Sequence, residues 1–222
     1  MSDAASSPHP DPDAWARDIE DQVLSLALPH VAQLGWSPLL VARAGAEAGL
    51  SLGEIELLFP NGAADLAALL CRRHDHETLA ILAKTDPQAL KIRERIRLAV
   101  ETRLDAAGQD EAVARRWSGF LALPQNLALA SRLLWDSADQ LWRWAGDTAT
   151  DENHYSKRAI LSGILSAALA IRLASGRGAS MTFVDARIAN VMSFEKWKAT
   201  TKLRPSEALK GLAQTLGRMR YG

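Results

Sequence analysis

The feature that most constrains this chain is the spacing of its apolar residues. Val23, Leu24, Ala27, Leu28, Val31 and Leu34 recur three and four positions apart, and the same rhythm returns along most of the sequence. Such spacing gathers side chains on one face of a helix, whereas a strand needs strict alternation. Period-two runs of β-branched and aromatic residues are hard to find, so the fold class is all-α. The strongest demand comes from Ile160 to Leu173, which is apolar nearly all round and so predicts a helix buried on most faces.

Helix breakers cut this pattern at Gly35, Gly49-Leu50-Ser51, Pro60-Asn61-Gly62, Asp86-Pro87, Ala107-Gly108, Leu123-Pro124, Gly146-Asp147, Gly176 to Gly178 and Thr200-Thr201. About nine or ten helices follow, in four stretches. Residues 1–20 are a flexible leader and 21–84 a compact group of short helices. Residues 85–200 form a longer, more apolar helical body, and 201–222 a basic C-terminal helix. With 26 Lys plus Arg against 26 Asp plus Glu in 222 residues, no global positive charge draws the chain to polyanions. Its one cysteine, Cys71, excludes an internal disulfide framework and a cysteine-based zinc cluster, and fits a reducing compartment as a small hydrophobe on a helix. The first 13 residues are rich in Pro and Asp and have no lysine, arginine or apolar run, so they read as neither a secretory signal nor a transit peptide. They point to a bacterial-type cytosolic protein. No run of 18 consecutive apolar residues occurs, and none is predicted to span a bilayer.

In "GWSPLLVARAGAEAGLSLGEIELLFPNGAADLAALL" a helix from Pro38 stops near Gly49, a tight turn follows, and a second short helix runs Leu52 to Phe59. The order of Gly-aromatic, helix, turn, second helix, "FP" and connecting helix resembles the tetracycline-repressor family of regulators over residues 20–70. A recognition helix presents cations to phosphates and donors to bases. Here it carries Glu54 and Glu56, and from Ser37 to Leu70 only Arg43 opposes Glu47, Glu54, Glu56 and Asp65. The expectation is a retained TetR-like fold without nucleic-acid binding.

In the body, long helices over Gln125–Ala145 and Tyr155–Ala174 flank a polar turn, where Thr150 or Asp151 can cap the second helix. Their apolar faces suit an ordinary core and a two-helix dimer interface, or a hydrophobic ligand cavity between them; periodicity demands the same side chains for both. Four ordered segments add a resemblance: "KIRERIRLAVETRL", "LALPQN", "AGDTATDENHYSKRA" and "FVDARIANVMSFEKWKA". Together they resemble the ninth Coq protein family of ubiquinone biosynthesis over residues 20–200. The resemblance implies a repressor-type fold repurposed to bind isoprenoid lipid, an accessory protein and not an enzyme. It would assist the di-iron demethoxyubiquinone hydroxylase, with a homodimer expected. A cavity of this kind would be lined by Leu127, Leu134, Leu141, Ile160, Ile164, Phe183 and Val191, and would hold an isoprenoid quinone or a phospholipid. No other cofactor is expected.

Family members carry a hydroxylase-binding patch at the polar turn, which the resemblance places on Asp151, His154, Tyr155 and Arg158. His154 stands where the family usually has Trp, and Glu152 replaces an aromatic. The tail "TTKLRPSEALKGLAQTLGRMRYG" puts Leu209, Leu212, Leu216 and Met219 at helical spacing. Around them Lys198, Lys202, Arg204, Lys210, Arg218 and Arg220 face only Glu207. A basic amphipathic helix suits an anionic bilayer surface, and the family ends in such a helix. The expected placement is cytoplasmic, on the inner face of a bacterial cytoplasmic membrane. His74 and His76 are two apart and so point to different sides of a helix; they read as solvated, with no metal expected. No phosphate loop, nucleophile elbow or dinucleotide fingerprint occurs. The rival reading is a lipid-responsive TetR-like transcription regulator, and a weaker third is a helical structural dimer without a cavity.

Overall fold

The computed structural model describes residues 12–148 and 152–200, and the surroundings of side chains 14–148 and 154–191. Among these there is no strand, and nine α-helices follow one another: α1 (Pro12–Ala27), α2 (Val31–Leu34), α3 (Pro38–Glu47), α4 (Leu52–Leu58), α5 (Ala63–Leu82), α6 (Ile92–Ala107), α7 (Glu111–Leu121), α8 (Leu127–Trp144) and α9 (Glu152–Thr200). The all-α fold class is therefore observed. Thr150 and Asp151, the expected caps of α9, lie outside the described residues.

Local chemistry fixes the helix-turn-helix. Ser37 accepts a hydrogen bond from the Leu40 amide and Pro38 opens α3, so two of that helix's free amides are dealt with at once. At the other end Gly49 takes φ 81°. This lets Leu50 N reach Gly45 O at 2.9 Å and Gly49 N reach Ala46 O at 3.0 Å, the double hydrogen bond of a Schellman stop. Ser51 and Glu54 then form a reciprocal capping box at the start of α4. Glu54 thus has a structural duty: hydrogen bonds from the Ser51 side chain and backbone hold its carboxyl below the usual range. Glu56 stays exposed.

Two hydrophobic clusters make the core. The first joins Val23, Leu24, Leu40 and Leu66 to Trp117 and Leu133, so α7 and the first half of α8 pack onto the N-terminal helices. The second joins Leu82, Val100, Leu141, Leu161 and Val184.

The long helix α9 is broken at Gly176, where φ 85° and ψ 174° interrupt the helical backbone. A side chain there would be strained, whereas glycine adopts the geometry freely. Beyond the break the chain folds back: Ser180 Oγ donates to Ala168 O at 2.7 Å, and Val184 joins Leu161 and Ile164 in the second cluster. Asp105 of α6 grips both sides of the turn through Arg172 at 2.6 Å and Arg177 at 3.0 Å. By length and composition His154–Val191 is apolar enough to cross a membrane, although no uninterrupted apolar run announced it. Its Leu161, Ile164, Leu165 and Ala168 are nevertheless buried against the rest of the protein. The expectation of burial on most faces is corrected in part. Gly163, Ser166, Ala170 and Ala174 are exposed, because the small residues of α9 share an outward face.

Candidate functional site

Where α8 passes α9, two hollows lie end to end along the pair. The first has a volume of about 430 Å³ and is walled by Leu104 and Ala107 of α6, Trp117 and Leu121 of α7, Leu127, Ala130, Leu133 and Leu134 of α8, and Leu165 and Leu169 of α9. The second, also about 430 Å³, lies between Ile92 and Ile96 of α6, Trp142 of α8, and Ile160, Ile164, Ile188 and Val191 of the two arms of α9. Leu141 and Ala138 occupy the stretch of α8 between them and are buried in the second cluster.

The seven residues expected to line one cavity therefore divide. Leu127 and Leu134 line the first hollow; Ile160, Ile164 and Val191 line the second. Leu141 and Phe183 line neither. Leu141 is core, and the half-buried Phe183 packs beside the second cluster with Arg187 over its ring at 5.1 Å. The correction has a simple cause: Leu127, Leu134 and Leu141 share one face of α8, but that face runs from one hollow, through packed core, toward the next.

The first hollow ends in polar groups that the periodicity concealed. Arg103 Nε donates to Asp75 Oδ1 at 2.5 Å, and both side chains are buried. Ser137 Oγ donates to the same carboxylate at 2.7 Å, and Arg103 Nη2 donates to Cys71 Sγ at 3.3 Å. Cys71, Arg103 and Ser137 all face the hollow. Burial pushes the Cys71 thiol up, so it stays protonated and is a weak nucleophile. His74 is corrected from solvated to buried. It stands edge-on to Trp117 with ring centroids 5.7 Å apart, its Nδ1 has no hydrogen-bond partner, and burial, then Arg103 and Arg73, bring its pKa down to about 3. His76 is exposed. Among the described residues no group of three His, Cys, Asp or Glu side chains is placed to hold a metal ion.

The polar turn also differs from expectation. Tyr155 is 65% exposed, with its ring 6.1 Å from that of Trp135 and 5.2 Å from that of His154, so these three make one aromatic surface. Arg158 does not belong to it. It is only 2% exposed, donating from Nε to Asp139 at 2.6 Å and from Nη1 to Asp147 at 3.0 Å. Lys157 also holds Asp147, at 2.5 Å. Although burial works to raise it, hydrogen bonds from Lys157 and Arg158 keep the Asp147 carboxyl below its usual range. Arg158 thus clamps the start of α9 to the end of α8, because its long side chain reaches inward, which a helical position alone does not reveal. Asp151, and the tail residues Leu209, Lys210, Leu212, Leu216, Arg218, Met219 and Arg220, lie outside the described residues.

Residues 127–195, which contain α8 and most of α9, match the family model described as COQ9. The chain is 30% identical over 152 residues to the ubiquinone biosynthesis protein COQ9, mitochondrial, of Rattus norvegicus, covering 66% of this chain and 49% of that one. The chain belongs to the COQ9 family. With COQ9-A of Xenopus laevis it shares 27% identity over 218 residues, covering 89% of this chain and 66% of the frog protein. With human COQ9 it shares 27% over 152 residues, 66% and 48% of the two chains. It thus spans about half the length of the rat and human COQ9 proteins. All three relatives are named as mitochondrial, which overturns the placement on the inner face of a bacterial cytoplasmic membrane. A leader without lysine or arginine describes its own thirteen positions and carries no compartment for the rest.

Proposed function

We propose that this COQ9-family chain serves ubiquinone biosynthesis as a non-enzymatic accessory protein that binds an isoprenoid quinone intermediate or a related lipid and presents it to the demethoxyubiquinone hydroxylase. The observation that carries the reading is the first hollow. Its walls are mainly Leu and Ala, with Trp117 and four serines among them, its volume lies within the roughly 300–1,000 Å³ of small-molecule sites, and α8 and α9 of the matched region form much of it. Apolar burial supplies the affinity for the lipid chain. A chain longer than the hollow leaves past Leu127, which is 52% exposed at its rim. The basic amphipathic tail gives the protein access to a membrane surface, and a second copy packs along α8 and α9.

Mass spectrometry of organic extracts from gently purified protein tests this. Wild type yields a stoichiometric isoprenoid quinone or phospholipid. Ser166→Trp, placed on α9 at the edge of the hollow, fills it and loses the lipid at least tenfold while keeping the helical circular-dichroism signal. An empty wild-type protein sinks the reading.

The exposed Tyr155 ring beside His154 and Trp135 supports a partner-binding face, since aromatic side chains are the usual anchors of interfaces. Tyr155→Ala is expected to weaken hydroxylase capture by about tenfold, roughly 1.4 kcal/mol, with the thermal midpoint unchanged. Equal capture by the variant places the interface elsewhere.

A further inference from the structure

The hollow is not uniformly apolar. At its rim Leu127 and Ser131 are exposed; at its far end Cys71, Arg103 and Ser137 are buried. We propose that this buried end is a head-group subsite for a neutral hydrogen-bond acceptor, of which a quinone carbonyl is the fitting class, with Arg103 as the donor. The inference rests on the lipid-cavity reading above and assigns it an orientation: head inward, chain outward.

Three observations carry it. Arg103 has five N–H bonds in a fixed fork; among the described residues it donates from Nε to Asp75 and from Nη2 to Cys71. A guanidinium with donor capacity left over, facing an apolar hollow from its closed end, is positioned for an acceptor that enters with the ligand. Second, the charge at this end is already balanced. Asp75 neutralises Arg103, and both side chains are less than a tenth exposed, at 6% and 7%. An anionic phosphate or carboxylate would bring an unmatched charge into a buried place, at a large desolvation cost. A carbonyl brings only a dipole. Third, Asp75 and Ser137 hold the guanidinium in place: Ser137 Oγ bonds both oxygens of the carboxylate, at 2.7 and 2.9 Å, while the carboxylate takes Arg103 Nε. The donor is therefore fixed before the ligand arrives, and little side-chain entropy is lost on binding.

The test compares a decyl-substituted benzoquinone, the decyl-substituted benzene of the same chain length, and dodecyl phosphate. Each is titrated into the whole chain, and the heat of binding is followed by calorimetry. Wild type prefers the quinone to the alkylbenzene by roughly tenfold or more, the range of a hydrogen bond from a charged donor. The double variant Asp75→Leu/Arg103→Met, which replaces the pair without stranding a charge, loses the preference and keeps its alkylbenzene affinity. A preference that survives in the double variant overturns the subsite and leaves the lipid cavity standing. Dodecyl phosphate binding as tightly as the quinone also overturns it. Failure of wild type to bind either the quinone or the alkylbenzene overturns the cavity reading itself. If the double variant does not fold, infrared spectroscopy of the wild-type complex decides. A bound carbonyl stretch below that of the same quinone in hexane supports the donor, and an unshifted band overturns it.

Discussion

Replacing Asp75 by alanine is expected to lower the folding stability by about 3–5 kcal/mol, the cost of stranding one member of a buried ion pair. The carboxylate accepts from Arg103 at 2.5 Å and from Ser137 at 2.7 Å, and its side chain is 6% exposed. Its removal leaves a guanidinium facing an apolar hollow with no counter-charge, and a serine hydroxyl without its acceptor. The double replacement Asp75→Leu/Arg103→Met removes both charges and lies within about 1–2 kcal/mol of wild type, because the interaction gained on pairing roughly offsets the desolvation of the two ions. Urea unfolding of wild type, single and double variants reads the difference directly. A single-variant loss under about 1 kcal/mol, the range of exposed pairs, would mean that water reaches the pair and that the far end of the hollow is not closed. The contrast between variants also separates roles. If the pair were there for stability, both replacements would be costly; if it is kept for what it offers a ligand, only the single one is.

What the sequence disclosed followed from periodicity and punctuation. The spacing of Val23 to Leu34 and the apolar run from Ile160 identified helices; Gly49, Ser51 and Pro60 bracketed the short α4 to within a residue. Those signals are local, and local hydrogen-bond chemistry settles them. The site was only partly legible because a cavity wall and a core are built from the same side chains. Leu134 and Leu141 stand seven apart on one helix face, yet one faces a hollow and the other is packed core. The polar end of the hollow was invisible for another reason. Cys71 and Asp75 of α5, Arg103 of α6 and Ser137 of α8 come from three helices, and no spacing along the chain relates one helix's residues to another's. Arg158 misled in the opposite way: a cation in a polar turn reads as surface, and only the positions of Asp139 and Asp147 turn it inward. A faint signal was present in "CRRHDHET", where Cys71, His74, Asp75 and Thr78 sit at spacings of three and four, the mark of an inward helix face made of polar residues.

That face also sets the response to acid, through His74. Burial first, then the charges of Arg103 and Arg73, bring its pKa from 6.5 down to about 3. In the unfolded chain the imidazole takes up a proton below pH 6.5; in the folded protein it does not do so until about pH 3. Between those values the unfolded state binds more protons, so stability is lost as the pH falls, by up to about 1.4 kcal/mol per unit. From pH 7 to 4.5 the loss attributable to His74 is about 2–3 kcal/mol. The carboxylates Asp105, Asp139 and Asp147, held below their ordinary 3.8 by arginine and lysine partners, give up their contributions at still lower pH. Glu47 and Glu54, held below their ordinary 4.5 by hydrogen bonds, begin to respond about one unit above that value, so the window above about pH 5.5 isolates the histidine. His74→Phe keeps an aromatic ring against Trp117 and removes the titration, so chemical unfolding at a series of pH values should show a slope for wild type and a nearly flat line for the variant. Equal slopes would mean that His74 is hydrated in the folded state.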